Sequence, residues 1–109
     1  MTVGEIAEKL SLNPVCAEEN THREVTGCYI GDLLSLVMSM AQAGDVWITI
    51  QGNINVPAVA SLTDASMVIL AENMQLDAAA FSRAKGEGIP VYYSEKSAFS
   101  LACEIKECL

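Results

Sequence analysis

Cationic side chains are scarce in this sequence. Six Lys and Arg stand against 14 Asp and Glu, a formal charge of −8, and charged residues of both signs fill only 18% of the 109 positions. Clustered Lys and Arg supply most of the affinity for a nucleic-acid polymer by neutralising its phosphates. A polymer of that kind is therefore excluded as partner, and an anionic membrane surface with it. Long apolar runs are missing too, since no window reaches the roughly 20 uninterrupted apolar residues of a spanning helix. The opening Met1-Thr2-Val3-Gly4-Glu5-Ile6 has an acid where an export signal has basic residues and no long apolar stretch behind it. That predicts a cytoplasmic protein whose cysteines remain thiols.

The motifs of common chemistries are also absent. Cys16, Cys28, Cys103 and Cys108 contain no C-x-x-C pair, and residues five apart on a helix, as Cys103 and Cys108 would be, point to different faces. Zinc and iron–sulfur sites usually nest two ligands in one tight turn, so neither metal nor cofactor is expected. A redox partner acting through these thiols is the weakest of three functional ideas. Neither G-x-x-x-x-G-K-[ST] nor a strand-linked G-x-G-x-x-G occurs; Gly86-Glu87-Gly88 falls between a helix and a strand and reads as a cap and turn. The only histidine, His22, lies in a polar loop beside Arg23 and Glu24, and Ser35 and Ser39 lack a nucleophile-elbow pattern. No pair of carboxylates is spaced as acid and base, so no catalytic residue is expected and the chain does not read as an enzyme.

What is present is apolar material. Hydrophobic residues make up 51% of the chain and the mean hydropathy is +0.31, enough to drive folding of residues 1–109 as one domain. It is more than a solitary small globule needs to hide.

Thr2-Val3-Gly4-Glu5 is a capping box, and Val3, Ile6, Ala7 and Leu10 continue one helical face until Asn13-Pro14. Val15-Cys16-Ala17 could form a brief strand. Strands are predicted at Val25–Ile30, Asp45–Ile50, Met67–Ala71 and Ile89–Tyr93 from their β-branched and continuous apolar character. Gly27 suggests a bulge or close backbone approach, and Pro90 a strand start or an edge. Between the strands run helices at Leu33–Ala41, with Asp32 as cap, at Val56–Leu62, with Asn55 as cap, and from Asp77 to about Gly86. A last helix begins near Ser97, with Ala98, Leu101, Ala102, Ile105 and Leu109 inward. Strand-helix alternation of this kind predicts an α/β fold: a small parallel sheet of about four to five strands with helices on both faces.

In open α/β sheets ligands bind beyond the carboxyl ends of the strands. That rim carries Asp32, then Gln51, Gly52, Asn53 and Asn55, then Glu72. It offers amides and carboxylates without a cation, suited to a base, a ribose or a peptide group, while free helix N-termini could hold a phosphate. Helix caps and solvated turns explain the same residues without a ligand. The Leu33–Ala41 helix has an apolar stripe wider than a surface helix needs, and Leu34, Val37, Met38 and Met40 are the candidate oligomer interface.

Tyr29-Ile30-Gly31-Asp32-Leu33-Leu34-Ser35-Leu36-Val37-Met38, then Gly44-Asp45-Val46-Trp47-Ile48-Thr49-Ile50-Gln51 and Val56-Pro57-Ala58-Val59-Ala60, resemble a DRTGG domain, in particular its stand-alone single-domain members. The resemblance runs from the first helix through Gly88-Ile89-Pro90-Val91 to the last. It implies a domain similar to the N-terminal domain of HPr kinase/phosphorylase, which is regulatory or oligomerising and not catalytic by itself, and related regions of regulated pyrophosphatases help to bind adenine nucleotides. Where the family has its Asp-Arg pair this chain reads Gln51-Gly52-Asn53-Ile54-Asn55, and where the family has Thr-Gly-Gly it reads Ala71-Glu72-Asn73. Two functions are thus expected: a non-catalytic regulatory or interaction domain working as a homodimer, with a protein partner in a redox or signalling pathway, or alternatively a sensor of an adenine nucleotide or related metabolite at the rim.

Overall fold

The computed structural model describes all residues from Met1 to Leu109. Helix α1 (Val3–Lys9) starts at the Thr2 capping box, in which the Thr2 side chain accepts from Glu5 N and the Glu5 side chain accepts from Thr2 N. Strands β1 (Asn13–Cys16) and β2 (Gly27–Ile30) follow, then α2 (Leu34–Met40), β3 (Asp45–Thr49), α3 (Asn55–Thr63), β4 (Met67–Leu70), α4 (Ala78–Glu87), β5 (Val91–Tyr93) and α5 (Ala98–Cys108). The five strands form one sheet in the order β1-β5-β4-β3-β2.

Four strands are parallel, as the alternation predicts, but β1 pairs antiparallel with β5 and makes the sheet mixed. The proline signal belongs to this edge. Pro14 lies within β1 opposite Tyr92, where a missing N–H can face outward, whereas Pro90 precedes an inner strand and marks only its start.

Residues of β3, β4 and β5 alternate between two cores. Val46, Ile48, Met67, Ile69 and Tyr92 pack with Val3, Ile6 and Leu10 of α1 and with Leu101 and Ile105 of α5. Their neighbours Trp47, Val68, Leu70 and Val91 pack with Val37 of α2, Val56, Val59 and Ala60 of α3 and Ala84 of α4. Covering both faces explains why these strands read as unbroken apolar runs. Leu109 departs from its predicted inward face, because α5 ends at Cys108 and the terminal residue is exposed. No helix is long and apolar enough to cross a membrane.

Gly27 serves the close approach rather than a bulge, since a Cβ there would collide with the Asp45 carboxylate on the neighbouring strand. Caps divide into hits and misses. Asp77 and Ser97 accept from Ala80 N and Ser100 N as N-caps should, but α2 and α3 have Leu33 and Ile54 at that position, with no side-chain cap.

Candidate functional site

Strand order places the turns after β2, β3 and β4 side by side at the carboxyl end of the sheet. Asp32, predicted to cap α2, instead reaches across to the β3 turn. Its Oδ1 accepts from Thr49 Oγ1 at 2.8 Å and from Ile50 N at 2.9 Å. Thr49 is buried and its hydroxyl needs a partner, which Asp32 supplies. Thr49 Oγ1 in turn accepts from Gln51 N at 3.2 Å. Beyond it Asn53 Nδ2 donates to Gln51 Oε1 at 3.3 Å, and Asn53 Oδ1 accepts from Asn55 N at 2.9 Å. Asn53 thus closes a local turn onto the first residue of α3, while Asn55, predicted to cap that helix, already lies inside it.

Gly52 is needed for close approach, but by the chain itself and not by a ligand. A Cβ on Gly52 would collide with the carbonyl oxygen of Gln75, and the Gly52 carbonyl accepts from Asp77 N at 2.8 Å. The β4 turn therefore leans onto the β3 turn. It is held from behind by Tyr93, whose hydroxyl accepts from Leu76 N at 3.0 Å, and by Glu72 N and Asn73 N, which donate to Lys96 O and Ser94 O. Glu72 and Asn73 have φ of 58° and 60°, a left-handed conformation that costs an L-residue about 1–2 kcal/mol. These are the positions at which the resemblance expects two glycines. The backbone there has the left-handed conformation that glycine favours, although the residues are Glu and Asn.

The structure thus brings Asp32, Gln51, Gly52 and Asn53 into one bonded cluster, with Glu72 exposed on the adjoining turn and Asn55 directed into the start of α3. Three of the expected free helix N-termini are partly closed, since Asn53 bonds the first residue of α3, Asp77 caps α4 and Ser97 caps α5, whereas α2 starts without a side-chain cap. Lys96, the cation of the β5 turn, is spent on Glu104 at 2.9 Å and on the Leu10 carbonyl at 3.3 Å. Large apolar side chains crowd the same end, with Ile30, Leu33, Ile50, Ile54, Met74 and Phe99 all exposed.

The proposed interface residues separate. Val37 is fully buried in the core beneath α2 and is withdrawn as an interface residue, and Leu34 is half-buried against the same core. The outer surface is carried by Met38 and Met40, as expected, together with Leu33 and Leu36, at 66% and 50% exposure. Exposure of large apolar side chains on one short helix is unusual in a monomer.

A cleft of about 460 Å³ opens at the opposite, amino end, between the β1–β2 loop and the ends of α3 and α4. Arg23 holds Asp64 there through two bonds of 2.8 and 3.0 Å, and this guanidinium keeps the Asp64 carboxyl below its ordinary value. Asn20 Nδ2 donates to the Gly88 carbonyl at 2.7 Å, and His22, Glu19 and Glu87 complete the polar wall. No sequence signal pointed to this cleft, because its ion pair joins residues 41 positions apart.

No three His, Cys, Asp or Glu side chains gather as a metal site. Cys16 is buried and donates to the Ile89 carbonyl at 3.3 Å. Burial, aided by the Asp45 charge, pushes the Cys28 thiol up to about 11, which disfavours the reactive thiolate.

No family model matches the chain, and no curated protein matches its sequence. Among solved structures it is similar to the CBS and DRTGG domains of the regulatory region of Clostridium perfringens pyrophosphatase, complexed with the activator diadenosine tetraphosphate, with a TM-score of 0.73. The fold is DRTGG-like. Identity is 16%, and the match covers 99% of this chain and 47% of that one, so this chain spans about half the length of that regulatory region.

Proposed function

We propose that this chain is a non-catalytic regulatory domain that senses a small ligand of the adenine-nucleotide class at the carboxyl-end rim. The observation that carries this reading is the likeness in fold, over nearly the whole chain, to a regulatory region complexed with diadenosine tetraphosphate. The rim chemistry supports binding over turnover. Asp32, Gln51 and Asn53 are held by hydrogen bonds to Thr49, to one another or to backbone, Glu72 is unbonded, and none of these groups is paired as nucleophile and base. A thermal-shift panel of adenine and guanine nucleotides tests the reading. A ligand at 100 times its dissociation constant should stabilise the fold by about 2.7 kcal/mol, and a flat response to every nucleotide would sink the sensing role.

A second reading is favoured by α2. Leu33, Leu36, Met38 and Met40 are exposed beside β2, which has a neighbour on one side only, and no charged side chain occurs from Leu33 to Gly44. Two chains of charge −8 repel, so a self-complementary contact belongs where charge is lacking, and two-fold dimers are the commonest arrangement. In this reading the domain works in the cytoplasm as a homodimer and passes its signal to a protein partner in a redox or signalling pathway. Light scattering at micromolar concentration should give twice 11.6 kDa, falling to the single mass in Leu36→Glu/Met40→Glu.

A further inference from the structure

The groups at the carboxyl rim discriminate among parts of a nucleotide. Phosphates are bound by cationic side chains or by free N–H groups at helix starts. Here Asn53, Asp77 and Ser97 each hold a backbone N–H at the start of α3, α4 and α5, α2 starts without a side-chain cap but is only seven residues long, and Lys96 is tied to Glu104 on the α1 and α5 face. What the rim leaves open is of the opposite kind. Asp32 uses Oδ1 for both of its bonds, so its Oδ2 faces no donor, and the exposed Glu72 carboxylate makes no hydrogen bond. Both would repel a phosphate, and both are suited to accept from ribose hydroxyls.

The Gln51 amide is the second open group. Its Oε1 accepts from Asn53 while its Nε2 makes no bond, and a side-chain amide matches the paired donor and acceptor on an adenine edge. Ile54, exposed on the same turn, and Met74, exposed on the neighbouring β4 turn, supply apolar surface for the face of a base. We infer that this rim reads the base and ribose of a nucleoside and leaves any phosphates in solvent. The inference rests on the sensing role proposed above and narrows its ligand from nucleotide to nucleoside.

Titration calorimetry of the full chain with adenosine, ATP and inorganic tripolyphosphate tests it. Adenosine should bind as tightly as ATP, tripolyphosphate should give no heat, and raising the salt concentration should leave the adenosine affinity unchanged. Gln51→Ala should weaken adenosine and ATP equally, by about tenfold, a factor equivalent to roughly 1.4 kcal/mol, with an unchanged melting temperature in the absence of ligand. Amide shifts on adding adenosine should concentrate in residues 50–55 and 71–76. ATP binding much more tightly than adenosine, or any binding of tripolyphosphate, would overturn the nucleoside inference and leave the sensing role standing. Full adenosine affinity in Gln51→Ala, or shifts centred on His22 and Asp64, would overturn the placement at the rim. Silence from every adenine compound would remove the sensing role itself.

Discussion

The two ends of the sheet are made of different materials. At the carboxyl end three turns lean on one another through Asp32, Gly52 and Tyr93, and apolar side chains such as Ile54 and Met74 stand exposed among amides and acids. At the amino end an open cleft of about 460 Å³ is lined largely by polar groups, with ion pairs that solvent reaches. Its volume lies within the range of about 300–1,000 Å³ usual for ligand sites, yet the interlocked backbone and the open amide lie at the other end. The carboxyl rim combines groups held in place with bonding capacity left over, at Asp32 Oδ2 and Gln51 Nε2.

If the carboxyl turns are interlocked as described, the largest effect should come from Gly52→Ala. Its methyl group would meet the Gln75 backbone, which cannot move without disturbing the Asp77 cap, and a cost of about 3 kcal/mol is expected in urea denaturation. Gly86→Ala, near the amino end, is the contrast. Nothing lies within 4 Å of its Cβ position inside α4, so it should stabilise by about 0.5–1 kcal/mol. Equal destabilisation by the two substitutions would erase the difference drawn between the ends.

Thr49→Val removes the buried hydroxyl that Asp32 accepts from and should cost about 1.5–3 kcal/mol, as expected for a hydrogen bond to a charged group. Asp32→Ala combined with Thr49→Val should then cost less than the sum of the single changes, which a double-mutant cycle measures. In the adjoining turn the sign reverses. Glu72→Gly relieves a left-handed residue and should stabilise by about 0.5–1 kcal/mol after the entropy of glycine is counted, visible as a rise of several degrees in Tm.

The smallest effect belongs to the amino end. Arg23→Ala should cost no more than about 1 kcal/mol, since the pair is exposed. The Asp64 carboxyl is held below its ordinary value in the folded chain, so its contribution is present above the unfolded value near pH 4 and is lost as the pH falls through the folded one. Acid titrations of stability should show this loss in the wild type and not in Arg23→Ala.

The strands around Trp47, Ile69 and Val91 and the helices after them were legible because burial on both faces leaves a continuous apolar run between amphipathic segments. Thr2, Asp77 and Ser97 were legible as caps because a cap bonds within its own first turn. Asp32 and Asn55 looked the same in sequence and do something else. A carboxylate ahead of a helix is equally able to reach a neighbouring strand, and only the 2.8 Å approach of Thr49 decides between the two. Val37 illustrates the same ambiguity within α2. Its apolar stripe was correct, but which part of the stripe the sheet would claim depended on how the helix lies over β2 and β3.

By itself the sequence determined the alternation of strand and helix, the shortage of cations, and the amide and acid character of the rim, because composition and periodicity are properties of neighbouring residues. The antiparallel β1 on the far edge, the closing of Gly52 against Gln75, the Asp32–Thr49 bond and the Arg23–Asp64 pair were decided only in the tertiary structure. Each joins segments distant in the chain. Their strength depends on distance, direction and exclusion of water, and none of these exists until the sheet has brought its strands together.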